Sequence, residues 1–145
     1  MFRKFFGLII ALGLLGGCNY VNPIGPIIDI GVYWYNGEAH KYYNTETEVF
    51  RKSVYDVLEE LKLPIIEEKV YPDYRYIVAG DQKTKFGIKI RSVREGITKL
   101  SIRVNTFGDH PYAELIFRHV DKRPGVKEFA TSVELNTAME RRRRR

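Results

Sequence analysis

One cysteine in 145 residues leaves no partner for a disulfide within the chain, so oxidising surroundings cannot staple this fold. Also missing is a run of about 20 apolar residues, the length that crosses the hydrocarbon core of a bilayer. The apolar stretch from Phe5 to Gly17 is too short and is interrupted by glycines. Histidine is scarce. His40, His110 and His119 are the only three, and none stands at metal-ligand spacing from another histidine or from the cysteine. G-x-S-x-G, P-loop and H-E-x-x-H patterns are absent. Glu59-Glu60 and Glu67-Glu68 are neighbours rather than facing carboxylates. His110 and Glu114 are one helical turn apart, a spacing that can orient a base but is more often a solvated surface pair. The sequence therefore offers no catalytic constellation, no metal site and no cofactor motif.

A surplus of one charge sign is missing too, once the charges are located. The chain carries +6 in all. Arg3 and Lys4 supply two of these and Arg141, Arg142, Arg143, Arg144 and Arg145 supply five, which leaves the stretch from Cys18 to Glu140 at −1. A nucleic-acid binder concentrates positive charge on one face of its domain. A near-neutral body with interleaved signs argues against that class of partner.

What is there begins at the N-terminus. Arg3-Lys4, an apolar run from Phe5 to Leu14, and Leu15-Gly16-Gly17-Cys18 have the order of a secretory signal peptide. Leu-Gly-Gly-Cys at this place resembles the lipobox of bacterial lipoproteins. The resemblance implies cleavage between Gly17 and Cys18, acylation of the Cys18 sulfur, and a covalent lipid (diacylglycerol and a further acyl chain such as palmitate) in place of any cofactor. A single acyl chain binds a membrane only marginally, whereas two or three hold durably. Asn19 follows where an aspartate would retain an enterobacterial lipoprotein in the inner membrane, so the expected location is the outer membrane, facing the periplasm.

Four regions follow: a signal peptide over 1–17, a lipid-anchored tether over 18–30, an α+β domain over 31–123 and a flexible basic tail over 124–145. Pro23, Gly25 and Pro26 break regular structure in the tether, whose reach at ~3.3 Å per residue is about 40 Å. Aromatic-rich Gly31–Tyr43 contains Asn36-Gly37, a tight-turn dipeptide. It reads as a strand or short hairpin, packed on the core or resting on the bilayer. Thr45 and Glu48 fit a capping box. Val49, Phe50, Val54, Val57, Leu58 and Leu61 then recur at helical spacing, with Pro64 as the stop. Ile65–Val70 and Tyr74–Ala79 read as strand. Phe86, Ile88 and Ile90, then Leu100, Ile102 and Val104, alternate with polar residues as an antiparallel hairpin. Its other face is basic, with Lys85, Lys89, Lys99 and Arg103. Asp109 caps a second helix with Pro111 in its first turn and a stripe of Tyr112, Leu115, Ile116 and Val120. Phe107 is expected to plug the core beneath the turn. The fold expected is α+β, a small antiparallel sheet of about four strands with two helices on one face, in the order β-α-β-β-β-α.

Leu100-Ser101-Ile102-Arg103-Val104-Asn105-Thr106-Phe107-Gly108-Asp109 resembles the signature of a family of small bacterial lipoproteins known only as a domain of unknown function, whose members read I-S-I-R-V-G-T-F-G-D before a last helix. Tyr35-Asn36-Gly37-Glu38 and Leu61-Lys62-Leu63-Pro64 are similar to that family as well. Asn105 departs from its usual glycine. The resemblance spans roughly Gly31 to Val120 and implies a fold and an envelope location, with no activity attached.

The function expected is a non-enzymatic, membrane-anchored envelope lipoprotein. It would have a binding or structural role, an envelope protein or peptidoglycan as partner, and the membrane engaged through its acyl chains. The alternative is a carrier of lipid or a small ligand in a groove lined by Phe50, Tyr112 and Ile116. For the five terminal arginines, a solvated tail and a contact with anionic lipid headgroups both stand.

Overall fold

The computed structural model describes residues 31–141. The expected signal peptide, Cys18, the expected tether and Arg142 to Arg145 lie outside the described residues. Six strands form one antiparallel sheet: β1 (Tyr33–Tyr35), β2 (Glu38–Tyr43), β3 (Ile65–Val70), β4 (Tyr74–Gly80), β5 (Lys85–Arg94) and β6 (Ile97–Val104). Three helices accompany them: α1 (Thr47–Glu60), α2 (His110–Asp121) and α3 (Ser132–Arg141). The strand order is β1-β2-β6-β5-β4-β3. The α+β class stands, with a wider sheet and one more helix than the sequence pattern suggests.

The two extra strands come from turns that reverse the chain. Asn36 and Gly37 both take positive φ, 51° and 74°, as a two-residue hairpin turn requires, and this splits Gly31–Tyr43 into β1 and β2 with Tyr35 opposite Glu38. Residues 71–73 fold β4 back on β3, so that Ile65 pairs with Ala79.

Period-2 alternation sorts the sheet into two faces. Ala39, Tyr43, Ile77, Ala79, Phe86, Ile88, Ile90, Leu100, Ile102 and Val104 are buried beneath α1 and α2. From α1 come Phe50, Val54, Val57 and Leu58, and from α2 come Ala113, Ile116, Phe117 and Val120. Each such side chain contributes about 1.5–3 kcal/mol when fully buried. The α2 stripe is therefore rotated from the one expected. Phe117 is inside, and Tyr112 is half exposed with its ring edge against Phe86.

The helix starts differ as well. Asp109 caps α2 by accepting from the Tyr112 amide at 3.4 Å. The expected capping box at Thr45 does not form; α1 has Glu46 at its cap position and no side-chain cap. Thr45 is buried instead and ties down a distant segment: its Oγ1 accepts from the Lys127 amide at 2.8 Å. Helix α1 ends at Glu60, ahead of Pro64, where Lys62 takes a left-handed φ of 53°.

The stretch expected to be a flexible tail from residue 124 is folded as far as Arg141. Tyr43 bridges Glu128, and the Asn44 amide donates to the Lys127 carbonyl at 2.8 Å. Phe129 and Leu135 are buried with Ile97, and Tyr42, Val93, Ala138 and Met139 pack around them. Tyr42, Val93 and Ile97 point away from α1 and α2, so α3 covers one end of the opposite sheet face. Its periodicity is weak because one leucine, Leu135, is its only buried residue.

Candidate binding face

Beyond α3, the sheet face opposite α1 and α2 carries tyrosines and cations in alternation. Tyr33 on β1 and Tyr42 on β2 stack with centroids 6.2 Å apart at 15°, and the Lys99 ammonium lies 5.5 Å from each ring centre. Burial, then a hydrogen bond with Tyr33, pushes the Tyr42 hydroxyl up to about 12, so it stays a neutral donor. Across the sheet, Lys89 and Arg91 lie 5.5 and 5.3 Å from the Tyr74 ring centre, and Tyr74 stacks on Tyr71. Between these two groups Tyr76 lies across Gly87: a Cβ there would come within 2.6 Å of the Tyr76 hydroxyl. The glycine is what lets the ring rest against the sheet. Cations held over aromatic faces at this range are attracted by the ring quadrupole.

His40 sits in the same face, buried, with its Nδ1 2.7 Å from Ser101 Oγ and its ring tilted 31° against Tyr33. Burial, then the nearby Lys99 charge, holds its pKa below the ordinary 6.5. Arg103 is paired with Glu38 at 3.3 Å and donates to the Asn36 carbonyl at 2.8 Å. Of the basic residues expected here, Lys89, Lys99 and Arg103 are thus brought together on one surface. Lys85 stands exposed at its margin, where its amide donates to Asn105 Oδ1. The tyrosines were legible in the alternation of Tyr74 and Tyr76 and of Tyr33 and Tyr35, but their pairing across strands was not.

Under α2 a second polar group is built for stability. The Lys41 ammonium, only 5% exposed as a residue, contacts Asp121 at 2.8 Å and Glu128 at 2.9 Å. Tyr43 donates to the other Asp121 oxygen at 2.8 Å. Burial and the Asp121 charge raise the Tyr43 pKa well above the usual phenol range. Three separate segments are pinned by this cluster: β2, the end of α2 and the chain before α3.

His110 does not form a base pair of groups with Glu114; its ring stacks on Trp34, centroids 3.5 Å apart and 4° from parallel. His119 contacts Glu60, which also pairs with Arg123. Among the described residues, no group of three or more His, Cys, Asp and Glu could hold a metal, and no helix is long and apolar enough to cross a membrane. Phe50 and Ile116 belong to the core, with Phe50 against Tyr43 at 4.5 Å, while Tyr112 is at the surface. These three side chains do not line a common groove. An open cleft of about 320 Å³ lies elsewhere, between the start of α1 and the β3–β4 turn, with Thr47, Arg51, Tyr71, Tyr74 and Arg75 in its walls.

The family model described as "Protein of unknown function (DUF3568)" matches residues 3–123. The chain belongs to this family. The match begins at Arg3, just ahead of the N-terminal apolar segment, and ends at Arg123, so the DUF3568 region holds the sheet, α1 and α2, and α3 lies beyond it. No curated protein matches the chain.

Proposed function

We propose that this DUF3568 protein is a non-enzymatic lipoprotein of the bacterial envelope. Acyl groups on Cys18 hold it to a membrane, with the outer membrane facing the periplasm as its expected place, and its domain binds an envelope partner through the open sheet face. The Leu15-Gly16-Gly17-Cys18 sequence supports the anchor. The observation that carries the binding role is the row of tyrosines with Lys89, Arg91 and Lys99 placed over their rings. Aromatic faces offer area at low entropic cost, and the cations beside them select an anionic partner. Peptidoglycan fits that chemistry: its sugar rings stack on tyrosine and its peptide carboxylates meet lysine.

The test is co-sedimentation of the full chain with isolated sacculi, beside the double variant Lys89→Glu, Lys99→Glu. The wild type sediments and the variant binds at least about tenfold less, the scale of losing two exposed charge pairs at ~1 kcal/mol each. Equal sedimentation of both removes the open face from the reading. If neither sediments, the partner is a protein, to be identified by crosslinking in cells.

A further inference from the structure

Phe107 was expected in the core and is 91% exposed, at the turn between β6 and α2. The turn holds it there on a stiff mount. Gly108 has φ +81°, and a Cβ on it would lie 2.7 Å from the Gly37 carbonyl oxygen, so this turn and the β1–β2 turn are in backbone contact. The Gly108 amide donates to Val104 at 3.0 Å. Arg103 links the two turns by donating to the Asn36 and Thr106 carbonyls. Tyr35, 67% exposed, and Tyr112, 50% exposed, stand at the same end of the sheet. A phenylalanine presented this way, at an end of the sheet that also exposes two tyrosines, is an apolar surface left to be covered.

We propose that this end of the domain is a seat for a lipid bilayer, with Phe107 entering the headgroup–acyl boundary and Tyr35 and Tyr112 lying beside it. The inference rests on the anchor proposed for Cys18. Two observations choose the bilayer as occupant. The chain leading back to Cys18 joins β1 at Tyr33, two residues and about 7 Å from Tyr35, and its 13 residues from Cys18 to Ile30 reach up to about 40 Å. Phenylalanine with tyrosine at the same end of the sheet also suits the interface, where aromatic rings with polar tips concentrate. The charges at this end balance in number: Arg103 pairs with Glu38, and the adjoining turns carry Lys83 and Lys85 against Asp81 and Asp109. Apolar burial, not headgroup charge, therefore drives the seating. Arg141 ends α3, which packs on Val93 and Ile97. That is the opposite end of β5 and β6 from Phe107, about 20 Å away.

The experiment uses the full acylated chain in zwitterionic phosphatidylcholine vesicles and the variant Phe107→Trp, compared with the wild type, whose only tryptophan is Trp34. Because the Phe107 side chain is exposed, the variant keeps the wild-type circular dichroism. Its added emission is blue-shifted, loses most of its intensity to lipid brominated in the upper acyl chain, and does not change on adding salt. Quenching of the introduced indole by aqueous iodide but not by brominated lipid, on chains that stay with the vesicles, overturns the seat and leaves the anchor intact. Chains that leave the vesicles overturn anchor and seat together. Salt-sensitive quenching that requires anionic lipid transfers membrane contact to the arginine tail and also overturns the seat.

Discussion

At Gly108 an added methyl group would meet the Gly37 carbonyl oxygen at 2.7 Å in a left-handed backbone that L-residues resist. Gly108→Ala is expected to lower the unfolding free energy by about 1–3 kcal/mol, read from urea titration of the full chain. At His40 the effect is one of pH. Its folded pKa is lowered from 6.5 by burial and then by Lys99, so the unfolded chain binds the proton more readily. Its contribution is full above pH 6.5 and is lost as pH falls through the folded value. His40→Gln should flatten the decline in stability on acidification below pH 6.5, measured as midpoint against pH. Both residues were visible in the sequence, Gly108 as a turn glycine and His40 as a lone histidine. The partners that decide each, Ser101 for His40 and Gly37 for Gly108, lie 61 and 71 positions away, beyond any local pattern.

Among the elements, α1 and the β5–β6 hairpin were legible because their apolar periods are regular. Helix α2 was legible in its start, through Asp109 and Pro111, but its buried stripe was misplaced. Tyr112 and Phe117 are both apolar enough to be inside, and only the contact with α1, β6 and β2 decides which one is. Helix α3 was the hardest. It docks through Leu135, with Ala138 and Met139 beside it, on Tyr42, Val93 and Ile97, an apolar set too short to stand out in the sequence. Leu135→Ala is expected to cost about 2–4 kcal/mol of local stability and to speed amide exchange across 127–141 while β4–β6 remain protected, read by hydrogen exchange. Lys41→Met removes the cation between Asp121 and Glu128 and strands the more buried carboxylate. A loss of about 1–3 kcal/mol follows, discounted because Glu128 is half exposed. Tm by calorimetry checks it, and the loss should shrink when Asp121→Asn is added.

Among the described residues, the sheet is covered on one face by α1 and α2 and on the other at one end by α3, and none of them covers the tyrosine and lysine surface. The near-neutral body hides this: −1 over Cys18 to Glu140 averages faces that differ in charge. Replacing Cys18 by Ser tests the anchor at this scale. The variant is expected to appear in the soluble fraction after a high-salt wash of membranes, while the wild type stays. Retention of the variant would mean that acylation is not what holds the chain.

The sequence by itself determined the α+β class, the apolar stripes of α1, β5 and β6, and the Asn36-Gly37 and Gly108-Asp109 turns, and the proposed lipid anchor rests on it alone. These depend on residue type and spacing along the chain, which local sterics and burial translate directly into structure. Only the tertiary structure decided that Thr45 serves Lys127 and not its own helix, that Lys41 is buried between two carboxylates, that the tyrosines of three strands, β1, β2 and β4, meet on one surface, and that Phe107 faces outward. Each of those depends on strand order and on contacts between segments far apart in the chain, and the free energy that selects them comes from packing the whole core at once.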